Sequence, residues 1–338
     1  MNRCIVTPTY SKHFPYIEQY LKSFDRYLTD KDFPICFIVD RSDFADLKQI
    51  ADRYSGKLNI QIIAYEDVLQ SMGIDCSSAD LLQKLGRLSF QTIKKYYSAL
   101  YLGCEQFLVL DSESIMIRET SMGALFDRFF SAPNFFVSRV SDRPKAFQEK
   151  FTYGFMLSAS KITTYPTEYW TLESYNWFLE LRILKKMIQH YGGLLERIQD
   201  VTLPGRFHDE GIEGELLYYP YIIYTPGQFG YQIYDTIPEL RKSLGVKNTF
   251  RFKHQFHHSW RSHGGYLEGL ASFIDRNNAE QVTDFLKSHF MPILRVSQKI
   301  GRNRSCLDFE QQLNVIKASG TNILASSYTP ELLECFLN

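Results

Sequence analysis

The chain has 338 residues, 44% of them hydrophobic and 22% charged, enough for a well-buried core in one large or two ordinary domains. Lysine plus arginine and aspartate plus glutamate each total 38, so no net field draws the chain to nucleic acid or an anionic membrane surface, and any anion site is local. The six cysteines follow neither Cys-x-x-Cys nor zinc spacing; Cys4, Cys36 and Cys104 lie in or beside apolar runs, reading as small buried hydrophobes of a reducing compartment.

No signal-type apolar stretch opens the sequence, and nowhere do ~18 apolar residues follow one another. The expected location is cytoplasmic, with peripheral association at the inner face of the plasma membrane left open. Aromatic residues reach 15%, which reads first as an aromatic-rich core and second as platforms for stacking sugars.

Cys4-Ile5-Val6 is an apolar run before Thr7-Pro8-Thr9-Tyr10, a strand running into a loop. Ile17, Tyr20, Leu21, Phe24, Tyr27 and Leu28 then recur at helical spacing behind Pro15. Pro34 to Val39 is a second buried strand ending in Asp40. Phe44, Leu47, Ile50, Ala51 and Tyr54 trace a helix stopped by Gly56, and Leu58 to Ala64 alternates as a third strand. One long helix is expected from Asp80 to Leu102, stopped by Gly103. Phe107 to Leu110 reads as a strand buried on both faces.

Strands alternating with helices over the first ~117 residues specify a parallel sheet wound with helices. Its right-handed crossovers put Tyr10, Asp40, Glu66 and Asp111 on one edge, where ligands bind in open α/β sheets. Further on, Met122 to Phe130 reads as a helix, Asn134 to Val140 and Gly154 to Ser158 as strands, and Leu172 to Tyr191 as a strong helix closed by Gly192-Gly193. Tyr218 to Tyr224 is a Tyr-rich apolar segment. Phe229 to Tyr234 and Thr249 to Phe256 alternate, and helical periodicity governs the chain beyond about Gly264.

The loop from Thr7 to Pro15 has neither G-x-G-x-x-G nor G-x-x-x-x-G-K, which argues against a Rossmann dehydrogenase, a P-loop NTPase and a nucleotidyltransferase; no G-x-S-x-G suggests a hydrolase. Asp111-Ser112-Glu113 ends the apolar strand. If the chain stays extended there, both carboxylates point to one side and suit a hard divalent cation bridging nucleotide phosphates; the alternative is that they cap a turn and a following helix. Lys84, Arg87, Lys94 and Lys95 on the preceding helix are candidate cations for a diphosphate, or a solvated face.

Pro8-Thr9-Tyr10, Ile38-Val39-Asp40, Gln91-x-x-Lys94, Phe107-Leu-Val-Leu-Asp111-Ser-Glu113 and the later Glu213-Gly-Glu215-Leu216 with Tyr218 together resemble GT-A-type nucleotide-sugar glycosyltransferases, and more narrowly those of bacterial capsule and lipopolysaccharide loci. The sequence departs from that pattern in having Asp-x-Glu for Asp-x-Asp and Ile212 before the later Glu. The fold implied is α/β: a Rossmann-like, mostly parallel central sheet with helices on both faces, plus a helical C-terminal extension. Residues 1–118 would form the nucleotide-sugar-binding half, 119–263 the acceptor-binding half and 264–338 the extension.

By the same resemblance, Pro8, Thr9, Tyr10, Asp40, Arg87, Gln91 and Lys94 contact the donor, with Tyr10 and Asp40 on the nucleoside base. Asp111 and Glu113 hold Mn²⁺ or Mg²⁺, and His257 or His258 completes the shell, unless that pair is surface or hydrogen-bonded core. The donor expected is a nucleotide-diphosphate sugar, a UDP-sugar first, and the acceptor a glycan or lipid-linked saccharide. For an inverting transfer the general base is expected to be Glu213, with Glu210 and Glu215 next and Asp209 after them; each of these can instead charge the first turn of a helix. The other reading is a non-catalytic GT-A-like binding or scaffold protein acting with a partner transferase.

Overall fold

A computed structural model describes residues 2–143, 155–201, 211–243, 267, 279–296, 309–326 and 337. In chain order the strands are β1 (Arg3–Pro8), β2 (Ile35–Val39), β3 (Ile60–Ala64), β4 (Gln106–Val109), β5 (Ser114–Met116), β6 (Asn134–Arg139), β7 (Tyr169–Trp170), β8 (Phe178–Glu180), β9 (Gln232–Asp235), β10 (Ile293–Val296) and β11 (Ile323–Ser326). The central sheet has the order β3-β2-β1-β4-β8. Its first four strands are parallel, with Ile5 opposite Ile35 and Val6 opposite Val109, and β8 closes the edge antiparallel to β4. This is the α/β architecture expected from the alternating elements.

Helices Phe14–Tyr27, Phe44–Asp52, Tyr65–Ser71, Ser78–Leu85 and Arg87–Leu102 link the parallel strands. The apolar runs of β1, β2 and β4 are buried because helices cover both faces, and Cys4, Cys36 and Cys104 are free, buried thiols among them. The single helix expected from Asp80 is two helices. Ser77 caps the first by accepting from Asp80 N, and Gly86 breaks the chain at φ +72°, a backbone shape that side chains disfavour.

Tertiary pairing overrides local pattern in the second half. The expected strand from Gly154 to Ser158 is described only from residue 155, and over 155–158 it is the start of a helical stretch. Leu157–Thr163 is a helix, with Met156, Ala159 and Ile162 buried three residues apart, a spacing that a five-residue apolar run is too short to display. The helix expected from Leu172 begins only at Leu181, because Phe178 and Leu179 pair with Leu108 and Phe107 as β8. The segment 264–338 is only partly helical. Among its described residues, helices Ala279–Ser288 and Phe309–Ala318 alternate with β10 and β11, four-residue stretches too short to show a period of their own.

β10 and β11 are parallel to each other, and β11 pairs antiparallel with β5, Leu324 opposite Ile115. This second sheet therefore sits immediately after the Asp111–Glu113 motif. From the other side Ser23 Oγ accepts from Met116 N at 3.0 Å, so the first helix also fixes β5. The alternating run expected at Thr249 to Phe256 lies outside the described residues.

Candidate active site

β4 ends at Val109, and the chain then turns instead of staying extended: Ser114 N donates to Asp111 O at 3.0 Å. Asp111 and Glu113 thus lie on a tight turn followed by β5, neither on one face of a strand nor ahead of a helix. Their side chains remain 29% and 23% exposed. Burial pushes the Asp111 carboxyl up from its ordinary value, and Glu113 adds to this while Lys95 and Arg295 oppose it. Burial would raise Glu113 as well, but the neighbouring His13 holds it below the usual range.

The Arg87–Leu102 helix supplies two adjacent lysines, both buried, which diverge because consecutive helical positions point ~100° apart. Lys94 Nζ lies 2.9 Å from Asp40 Oδ1 and 3.2 Å from the Thr9 carbonyl, so it is engaged at the ends of β1 and β2 and not beside Asp111. Burial lowers its pKa, with Asp40 opposing. Lys95 Nζ stands 3.6 Å from Asp111 Oδ1 and 4.2 Å from the centre of the Trp177 ring. Burial pulls Lys95 down, yet Asp111, Glu215, Glu213 and Glu113 outweigh it and hold the ammonium above its normal range. Lys84 and Arg87 are exposed, as a solvated face would have them, and Gln91 is half-buried.

The same sheet edge carries the other donor candidates. Tyr10 is 40% exposed, Pro8 half-buried and Thr9 buried, with no hydrogen-bond partner for Thr9 Oγ1 among the described residues. Beside Asp40, the backbone N of Arg41 donates to Glu66 Oε2 at 2.8 Å, and Ser78 Oγ donates to Glu66 Oε1 at 3.0 Å. The ends of β2 and β3 are thereby tied together.

Residues 211–215 are clipped along the lysine helix. Ile212 N donates to Ser89 Oγ at 3.1 Å, and Thr92 Oγ1 donates to the Ile212 carbonyl at 2.5 Å. Gly214 lies flat on Tyr96, and a Cβ there would come within 2.6 Å of the phenol oxygen. This close approach brings Glu213 and Glu215 into the field of Lys95 and Asp111. Burial pushes Glu213 up to about 7; Glu215 and Asp111 add to the effect, while Lys95 and Arg87 oppose it. Glu215 is also raised, chiefly by burial, and its Oε2 has no hydrogen-bond partner among the described residues. Gly214→Ala is expected to cost about 1–3 kcal/mol through overpacking, read as a lowered Tm, and to disrupt the site with it.

The structure therefore gathers Asp111, Glu113, Glu213 and Glu215 about Lys95, with Tyr10 joined to Glu113 through His13, while Asp40 and Lys94 pair at the ends of β1 and β2 on the same sheet edge. Asp209, Glu210, His257 and His258 lie outside the described residues. Three neighbours were not legible in the sequence: His13, whose Nδ1 is 3.5 Å from Glu113 Oε2; Trp177 beneath Lys95; and Arg295 of β10. Arg295 packs 4.9 Å from the centre of the Tyr175 ring and faces the field of Asp111 and Glu113. Each arrives from an element with no motif of its own.

Among the described residues no group of three or more His, Cys, Asp or Glu side chains is arranged to hold a metal ion. Asp111 and Glu113 nevertheless fit a hard divalent cation. They are oxygen donors two residues apart on one turn, and magnesium sites commonly use one or two carboxylates completed by substrate phosphates and water. The crowding of four carboxylates, three of them raised and one with an unpartnered buried oxygen, is the kind of charge imbalance a cation relieves.

No protein-family model matches the sequence, nor does any curated protein. Among solved structures, mouse xyloside xylosyltransferase 1 superposes with a TM-score of 0.40 at 13% identity, covering 70% of this chain and 86% of that one. Residues 1–349 of S. aureus TarS give 0.36 at 16% identity over 95% and 88%. Core-mannan synthase A of Aspergillus fumigatus, in its Mn/GDP form, gives 0.38 at 10% identity over 69% and 73%. Likenesses this loose assign no residue a role.

Proposed function

We propose that this chain is a metal-dependent glycosyltransferase that moves a sugar from a nucleotide-diphosphate sugar, a UDP-sugar first, to a glycan or lipid-linked saccharide acceptor in bacterial surface polysaccharide synthesis. The observation that carries this reading is the convergence of Tyr10, Asp40, Asp111 and Glu113 on one sheet edge with Glu213, a carboxylate pushed up to about 7, held against them by the lysine helix. In the proposed mechanism Tyr10 stacks on the nucleobase, and Asp40, fixed by Lys94, accepts from its imide. Asp111 and Glu113 would hold Mn²⁺ or Mg²⁺. Lewis-acid stabilisation of the leaving diphosphate is what such a cation supplies when bound.

Glu213 takes the proton of the acceptor hydroxyl as that oxygen bonds to the anomeric carbon and the bond to the diphosphate oxygen breaks. A carboxyl poised near neutrality suits a general base at the working pH. Lys95 keeps the cluster's negative charge from repelling the donor altogether. No helix among the described residues is long and apolar enough to cross a membrane, and work at the cytoplasmic face on a lipid-linked acceptor is part of this proposal.

The test is a thermal-shift screen of UDP-, GDP-, CMP- and TDP-sugars with and without Mn²⁺. A ligand at a hundred times its Kd stabilises by about 2.7 kcal/mol, a shift of several degrees. No shift with any nucleotide and metal at millimolar concentration would sink the proposal. Nucleotide binding with no slow hydrolysis of the donor would favour a non-catalytic binding protein.

A further inference from the structure

His13 stands at the end of the short turn Ser11–His13, between β1 and the first helix, and no sequence motif marks it. Its Nδ1 lies 2.6 Å from Ser112 Oγ, and Ser112 Oγ donates to Glu113 Oε2 at 3.3 Å. With the hydroxyl proton directed at Glu113, Nδ1 carries the hydrogen that Ser112 accepts, so the bonds run one way from His13 through Ser112 to Glu113. The imidazole is held between two aromatic rings, with Tyr10 at 4.3 Å and Tyr16 at 5.4 Å between ring centres. Glu113 sits on a turn and has three side-chain torsions to choose from; this chain of bonds selects one arrangement.

We propose that His13 is a positioning residue of the cation site: acting through Ser112, it orients the Glu113 carboxylate so that it presents an oxygen together with Asp111. It also joins that carboxylate to Tyr10, the exposed ring at the nucleobase end of the edge, so that the two ends of the donor site share one rigid support. The proposal rests on the reading of Asp111 and Glu113 as cation ligands. Loss of an outer hydrogen-bonding partner typically weakens a metal site 10- to 100-fold.

The experiment is a calorimetric titration of the full chain with Mn²⁺ in the presence of UDP, which needs no turnover. Two substitutions separate bonding from packing: His13→Phe keeps a ring between Tyr10 and Tyr16 but removes Nδ1, whereas His13→Asn loses the ring but retains an amide donor. The expected result is a loss of Mn²⁺ affinity of about tenfold or more in His13→Phe and of less than about threefold in His13→Asn. Affinity that follows the ring instead, retained by Phe and lost by Asn, overturns the proposal. Should His13→Phe fail to fold, a folded His13→Asn protein with tenfold weaker binding overturns it alone. A wild-type protein that binds no Mn²⁺ removes the cation site and this inference together. Wild-type binding that is abolished by Asp111→Asn but untouched by His13→Phe removes only the role of His13.

Discussion

Replacing Asp111 by Asn is expected to lower the proposed sugar transfer at least about 100-fold while leaving the fold intact, because losing a carboxylate proposed to hold the metal removes several kcal/mol of transition-state stabilisation. The amide has nearly the shape of the acid, so packing at the end of β4 is unchanged. Burial already penalises the ionised form of Asp111, and Lys95 keeps Glu113, Glu213 and Glu215 as counter-charges when Asp111 is neutral. Stability should therefore change little even as catalysis collapses. Measuring kcat/KM by release of the nucleoside diphosphate, with Tm alongside, separates the two; a variant within threefold of wild type would exclude Asp111 from the reaction.

Glu213 gives the second large effect. Burial pushes its carboxyl, ordinarily near 4.5, up to about 7 in the folded protein, so the ionised form is half-populated near neutrality. The rate should rise with pH, about tenfold per unit below that point, and level off above it. Glu213→Gln should lower the plateau by about 10²- to 10⁴-fold and abolish the rise. Stability moves the opposite way. Between 4.5 and about 7 the folded state binds more protons at this site than the unfolded chain, so stability falls as pH rises through that window. Glu213→Gln removes this decline, and above pH 7 the variant should melt higher than wild type. A rate profile that is flat between pH 6 and 8 in the wild type would count against Glu213 as the base.

Much of the first half was legible because its strands are continuous apolar runs and its helices repeat every three or four residues, patterns that do not depend on distant partners. Asp40 and Asp111 could be found because each directly follows such a strand. The roles of Lys94 and Lys95 could not be separated from the same stretch, since one residue of helix rotation decides which strand end each meets, and that rotation is set by packing. The Leu181 helix start and the strands β10 and β11 were hidden for a different reason. Stretches of three or four residues fit either state, and the pairing that decides comes from β4 and β5. His13 and Arg295 reach the acidic turn only through tertiary structure.

The pairing of β5 with β11 also governs when the site can form. Asn322 Nδ2 donates to Thr120 Oγ1 at 2.9 Å across 202 residues of chain, and β11 meets β5 just after the acidic turn. Contacts at such separation pay their loop-closure entropy before they return any stabilisation, so they form late in folding. During synthesis from the N-terminus the parallel sheet can assemble early. The turn bearing Asp111 and Glu113 acquires its backing strand, and the guanidinium of Arg295, only after residues 293–326 have left the ribosome. A nascent chain thus carries an unfinished acidic turn until residues 293–326 have been made and have paired with β5.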